Sequence, residues 1–227
     1  RTERWGGIGQ QMRAMIFDLD GVLVDTAHFH YQAWKRLARE WFDMDLTPED
    51  NERFKGVNRE ACMHMLCEMA DVNLERARFE QGMALKNAWY VNLVNGMTPA
   101  DVLLGARAFV ERQKQAGVLC AIGSASKNCS LVLERTGLQG LFDAVSDGTV
   151  VTRAKPDPEV FVTAARMLQV LPARCVVFED AQAGIEAARA GGMRCCAIGQ
   201  PHNLQGYDWI FPSLQAAGSF FDDLRST

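Results

Sequence analysis

The chain has 227 residues, 48% of them hydrophobic and 23% charged, with a net charge of −4. That is long enough for one sizeable core and a smaller second one. Mild acidity without a basic cluster speaks against a nucleic-acid partner. No apolar run reaches the roughly 18 residues of a membrane span, so no membrane partner is expected.

In chain order, residues 1–11 hold Gly6, Gly7 and Gly9 close together and read as a tail or vector-derived start outside the fold. Residues 14–17 are an apolar run of strand type. After Thr26 the pattern turns helical, with His30, Trp34, Leu37, Ala38 and Trp41 recurring at threes and fours. Residues 43–51 are polar, contain Pro48 and read as a loop. A second helix is predicted at 58–70, with Asn58 as its N-cap, and a third at 74–93. No strand interrupts this region, so 27–97 is expected to be an inserted helical-bundle cap that sets substrate specificity. Gly96, Thr98 and Pro99 mark its exit.

Strands and helices then alternate. Helices are expected at 106–116, 127–135, 157–168, 183–190 and 213–224, and strands at 118–122, 142–145, 175–178, 194–198 and 209–211. Strands separated by helices predict an α/β, Rossmann-like parallel sheet with helices on both faces, built from 12–26 and 98–227. Seven scattered cysteines, without a C-x-x-C pair, are expected to be reduced thiols. No export signal is expected, and the localisation that follows is cytoplasmic.

The first strand runs into Asp18-Leu19-Asp20-Gly21. Acids at the end of a short buried strand sit at the carboxyl edge of a parallel sheet, where such sheets bind ligands. Residues two apart on a strand point the same way, so Asp18 and Asp20 are expected to face one site. Two close carboxylates repel unless a cation or a proton sits between them, and oxygen ligands suit a hard cation such as Mg²⁺. A calcium loop is excluded because its glycine stands sixth, whereas Gly21 is fourth from Asp18.

Later strand ends supply further candidates. Gly123-Ser124-Ala125-Ser126-Lys127-Asn128 leaves a strand and opens a helix, an arrangement that favours anions. Ser124 can donate to a phosphoryl oxygen, and Ser126 is either a ligand contact or an N-cap. Lys155 is either a solvated charge at a helix mouth or the cation that neutralises the acids. Glu179-Asp180 ends another strand, a poor structural choice and a good metal site.

In that order these residues match the four motifs of the haloacid dehalogenase superfamily. Its first motif, Asp-x-Asp-Gly-x-x-x-Asp-Thr, is met by Asp18, Asp20, Gly21, Asp25 and Thr26. From Met12 to the last helix the chain also resembles one family within it, the β-phosphoglucomutases. That likeness rests on Ala33-Trp34-Lys35, Lys55-Gly56-Val57-Asn58-Arg59-Glu60, Lys86-Asn87, Thr98-Pro99-Ala100-Asp101-Val102 and the run from Ser124 to Asn128. Asn58 stands where those mutases carry serine.

The resemblance implies an isomerase that converts β-glucose 1-phosphate to glucose 6-phosphate. It implies Asp18 as phosphorylated nucleophile, with glucose 1,6-bisphosphate as primer and intermediate. One Mg²⁺ would be held by Asp18, the Asp20 carbonyl and Asp180, with Glu179 in support. Asp20 would handle the proton at the sugar oxygen, and Ser124 and Lys155 would stabilise the moving phosphoryl group. Arg59, Ser126, Lys127 and Asn128 would hold the other phosphate, while Gly56 and Val57 touch the sugar. His30, Trp34 and Lys86 would line or order the closed site. The expected partners are small-molecule sugar phosphates, and the expected state is a monomer. Two rival readings remain: a Mg²⁺-dependent hexose-phosphate phosphatase of the same superfamily, and a non-catalytic sugar-phosphate-binding protein.

Overall fold

The structure, a computed structural model, describes residues 11–226; residues 1–10, most of the expected tail, lie outside that range. Strand β1 (Ala14–Phe17) is followed by helices α1 (Ala27–Phe42), α2 (Pro48–Glu52), α3 (Arg59–Met69) and α4 (Arg76–Val94). The chain then alternates through α5 (Ala106–Gln115), β2 (Leu119–Gly123), α6 (Cys129–Thr136), β3 (Ala144–Ser146), α7 (Glu159–Leu168), β4 (Cys175–Glu179), α8 (Gln182–Ala190), β5 (Arg194–Ile198), β6 (Trp209–Phe211) and α9 (Leu214–Ser226).

All the strand pairs are parallel, in the order β3-β2-β1-β4-β5-β6. The first strand lies mid-sheet, with Phe17 beside Ile122 of β2 and Phe178 of β4. The chain order reverses between β1 and β4, and a crevice opens beyond the strand ends at such a reversal. Asp18, Ser124 and Glu179 are delivered to that crevice by β1, β2 and β4.

Alternation along the strands sorts side chains to two buried layers. Met15, Phe17, Ile122 and Phe178 pack with Phe109 of α5 and Phe221 of α9. Phe17 stacks on Phe178 at 4.9 Å and meets Phe109 edge-on at 6.0 Å. On the other face Ile16, Ala121 and Val177 pack with Phe161 of α7 and Ile185 of α8. Adjacent Cys195 and Cys196 fall into opposite layers, as strand geometry requires. A third cluster joins Trp34, Leu37, Phe54, Met63, Leu66 and Phe79 within α1 to α4.

Three of the local differences from expectation have a physical reason in the structure. The stretch predicted as a loop at 43–51 contains α2. Thr47 and Asp50 form a reciprocal capping box around Pro48, and a five-residue helix is too short to show periodicity. Helix α6 begins two residues later than expected, because the Ser126 hydroxyl accepts the Asn128 N–H in a local turn. Helix α7 begins at Glu159, not 157, because the Asp157 carboxylate accepts the Glu159 N–H ahead of it. Asn58 does cap α3, accepting the Ala61 N–H at 2.8 Å.

All seven cysteines are free and buried. Burial pushes the Cys62 and Cys120 thiols up to about 12, so little thiolate forms near neutrality. Native protein should therefore react slowly with a thiol reagent, and denaturation without reductant should release seven reactive thiols. A count of five or fewer would show a disulfide that this fold does not contain.

Candidate active site

Strand β1 ends at Phe17, but the Asp18 N–H still donates to the Phe178 carbonyl at 2.9 Å, so Asp18 continues the ladder by one residue. Its side chain is buried against Lys155 and Glu179, which are also buried. Lys155 Nζ donates to Glu179 Oε2 at 2.9 Å, to Asp18 Oδ1 at 3.3 Å and to the Gly123 carbonyl at 3.3 Å. The second Glu179 oxygen accepts the N–H groups of Asp180 and Ala181 at 3.0 and 3.1 Å. Every polar atom of that glutamate is thus engaged, which is what makes its burial tolerable. Two glycines make room for the acids. A Cβ on Gly184 would lie 2.0 Å from the Glu179 carboxyl, and one on Gly21, whose φ is +81°, would lie 2.1 Å from Asp180 Oδ2.

The electrostatics follow from this crowding. Burial first, and then the Glu179 charge, raise the Asp18 carboxyl well above its ordinary range, against the opposing pull of Lys155. Asp180 is raised by the same two causes. Burial acts to lower Lys155, but the charges of Asp18 and Glu179 outweigh it and hold the ammonium protonated. Asp18, Glu179 and Asp180 each bring a carboxylate oxygen to within 4.8 Å of the others. Three hard oxygen donors with one lysine between them suit a divalent cation, and both aspartates would be relieved by it. Because Glu179 is committed to Lys155 and to the backbone, Asp18 and Asp180 are the carboxylates with oxygens to spare.

Asp20 lies apart from this cluster. Its carboxylate accepts the Thr26 hydroxyl and meets His30 Nε2 at 3.6 Å. Burial acts to raise Asp20, but His30 and the Thr26 hydrogen bond prevail and lower it below its ordinary value. His30 is itself lowered, chiefly by burial and then by the Lys86 charge. Its Nδ1 contacts Lys86 Nζ at 3.0 Å, and its ring stacks on Tyr90 at 4.0 Å with 13° between the planes. The Lys86 ammonium in turn lies 4.9 Å from both the Trp34 and the Tyr90 ring centroids. Burial, with the Arg59 charge nearby, lowers Lys86 to about 7.

A cavity of about 360 Å³ joins these groups. Asp18, Asp20, Lys155 and Asp180 stand in its wall together with His30, Trp34 and Lys86. Gly56, Val57 and Arg59 enter from the α2–α3 side, and Ser126, Lys127 and Asn128 from the loop after β2. Ser124 and Glu179, both buried, lie behind that wall. The Ser124 oxygen accepts the Ser126 N–H at 3.2 Å and so shapes the loop. Arg59 is half-buried, and burial lowers its pKa against the opposing effect of Tyr90. Among the described residues it has no ion-pair partner.

Every candidate from the sequence therefore lies in or directly behind one cavity. Asp18 and Asp20 both border that cavity, as expected, although Asp20 belongs to the turn beyond the strand and not to the strand's alternation. Thr26 and Tyr90 were missed as contacts. Tyr90 had a signal, because it stands four residues beyond Lys86 and shares its helix face.

A model of the haloacid dehalogenase-like hydrolase family matches residues 12–192. The chain is 37% identical over 201 residues to a β-phosphoglucomutase of Bacillus subtilis (strain 168), covering 88% of each. It is 29% identical over 184 residues to a phosphorylated carbohydrates phosphatase of Thermotoga maritima, covering 80% of this chain and 82% of that one. The crystal structure of β-phosphoglucomutase from Clostridium difficile superposes with a TM-score of 0.90 at 31% identity, over 95% of this chain and 97% of that one.

Lys86 gives this site a testable cost in stability. Its folded pKa, about 7, lies below its ordinary value of 10.5, so the unfolded chain binds that proton more readily. Stability is then lost as pH falls from about 10 to about 7 and changes no further below that. Lys86→Met should stabilise the protein at pH 7 by something on the order of 3–5 kcal/mol, a gain that shrinks toward pH 10. Denaturant unfolding at both pH values reads it. A variant less stable than the parent at pH 7 would show that Lys86 is held as a favourable cation.

Proposed function

The chain belongs to the haloacid dehalogenase-like hydrolase family, and from that premise we propose that it is a phosphosugar mutase interconverting β-glucose 1-phosphate and glucose 6-phosphate. The observation that carries the choice is Arg59, a half-buried guanidinium without an acid partner among the described residues, in the wall that also holds Asp18 and Lys155. An enzyme that only removes a phosphate needs one anion site. A mutase must hold two phosphates at opposite ends of a sugar, and a desolvated cation without a partner is what a second phosphate requires.

In this reading Asp18 carries the phosphoryl group and the C6 hydroxyl of β-glucose 1-phosphate attacks it. Asp20, oriented by Thr26 and His30, takes the hydroxyl proton as the sugar oxygen–phosphorus bond forms and the Asp18 oxygen–phosphorus bond breaks, releasing the Asp18 carboxylate. Glucose 1,6-bisphosphate then turns end for end. Asp18 takes the C1 phosphoryl group and Asp20 returns the proton to the C1 oxygen. Lys155 and Ser124 stabilise charge on the moving phosphoryl group, since such transfers depend on alignment and neutralisation more than on covalent help. A Mg²⁺ held by Asp18 and Asp180, with the Asp20 carbonyl and with Glu179 behind them, would add neutralisation of the phosphoryl oxygens. Arg59, Ser126, Lys127 and Asn128 hold the other phosphate, and Gly56 and Val57 border the sugar.

Residues 27–97 act as the cap over residues 12–26 and 98–227. Reorientation of the bisphosphate requires the cap to open and close about the connections near Thr26 and Pro99. Transfer to water in place of the sugar hydroxyl would make the same site a phosphatase, and the relative from Thermotoga maritima bears such a name.

Two outcomes test this reading. Activity should vanish with a chelator and return with Mg²⁺, and Asp18→Asn should fold yet form no acid-labile phosphoryl-enzyme; turnover near the parent rate would exclude Asp18 as nucleophile. Arg59→Ala should reduce conversion of β-glucose 1-phosphate about 10–150-fold. Acetyl phosphate has no second phosphate, and its hydrolysis should change little. Equal losses on both substrates would favour the phosphatase.

A further inference from the structure

Asn87 lies outside both the acid cluster and the cavity wall, yet it ties the two sides of the site together. It stands on α4 next to Lys86, about 100° round the helix from the face that Lys86 shares with Tyr90. Its Oδ1 accepts from Asn128 Nδ2 at 2.8 Å. Asn128 occupies the position just before α6, where an asparagine side chain commonly caps the helix, but it makes no cap hydrogen bond. Its amide is drawn toward α4 instead. The loop behind it is fixed in steps. The Ser124 oxygen accepts the Ser126 N–H at 3.2 Å, and the Ser126 oxygen accepts the Asn128 N–H at 3.0 Å. Asn87 supplies the last of these restraints, from the opposite side of the cleft.

We propose that Asn87 is a positioning residue for the second phosphate: by accepting one N–H of Asn128 it holds that amide with its other N–H available to the anion. This rests on the mutase reading, in which Asn128 helps to bind the non-transferring phosphate. Helix α4 then references both ends of the sugar to one rigid element. Lys86 and Tyr90 hold His30, and through it Asp20, while Asn87 holds Asn128. A displacement of α4 moves the proton-handling carboxylate and the distal phosphate loop together. The sugar's two reacting ends lie a fixed distance apart, so this linkage keeps both contacts in register.

The test is a double-mutant cycle on β-glucose 1-phosphate turnover, with melting temperature as the control for folding. Asn87→Ala should raise KM about threefold to tenfold and leave kcat within about twofold, as expected for one net hydrogen bond lost from ground-state binding. Asn128→Ala should raise KM at least as much. The double variant should match Asn128→Ala alone, because Asn87 acts through Asn128. Additive losses, or a fall in kcat and melting temperature with KM unchanged, would overturn the assignment and leave Asn87 a structural contact. A KM unaffected by Asn128→Ala would remove Asn128 from the second-phosphate site and the proposal with it, whereas failure of the mutase reading would show as inorganic phosphate in place of glucose 6-phosphate in the same assay.

Discussion

A buried ammonium between two buried carboxylates is the constraint on which this structure depends. Lys155 reaches Asp18 and Glu179 inside the sheet's crevice, and removing one member would leave an uncompensated charge worth about 3–5 kcal/mol. Glu179 answers that demand with Lys155 on one oxygen and two backbone N–H groups on the other. Asp18 has no comparable set of partners and is left with its carboxyl raised. The asymmetry divides the two acids: one holds the lysine in place, and the other keeps an oxygen to spare, as the proposed nucleophile requires. Central placement of β1 makes this possible, since only a strand flanked on both sides can bring Asp18 against groups from β2 and β4 at once.

The second constraint is the opposite one, charge without a partner. Arg59 and Lys86 both face the cavity with their cationic forms disfavoured by burial, and neither has a carboxylate in ion-pair contact among the described residues. Sites that bind anions bear this kind of local instability, which ligand binding relieves. Around it the aromatic faces of Trp34 and Tyr90 hold Lys86, and the rest of α1 to α4 is knit by an apolar cluster of its own.

Much of this was legible in the sequence, for an identifiable reason. Asp18, Glu179 and Asp180 are residue types seldom buried and stand at the ends of apolar strands, where burial has to be compensated; Lys155, in the loop between β3 and α7, is the cation that compensates it. The alternation of strands and helices predicted the parallel sheet, because both patterns have strong and different periods. What stayed hidden depended on single hydrogen bonds. Helix α2 is fixed by a capping box, and the starts of α6 and α7 by Ser126 and Asp157 competing for backbone N–H groups. The Asn87–Asn128 contact joins positions 41 residues apart and leaves no local trace. The direction of the Asp20 carboxylate was also set by tertiary partners, Thr26 and His30, and not by strand alternation.

The central claim is that one cavity holds a phosphoryl-carrying aspartate and a separate site for a second phosphate. Phosphorus NMR of β-glucose 1-phosphate turnover, with Mg²⁺ and a trace of glucose 1,6-bisphosphate, tests it most directly because both possible products appear in one spectrum. The account predicts that the substrate resonance is replaced by that of glucose 6-phosphate, with little inorganic phosphate. Inorganic phosphate as the main product, growing from the start and unaffected by the bisphosphate, would contradict it.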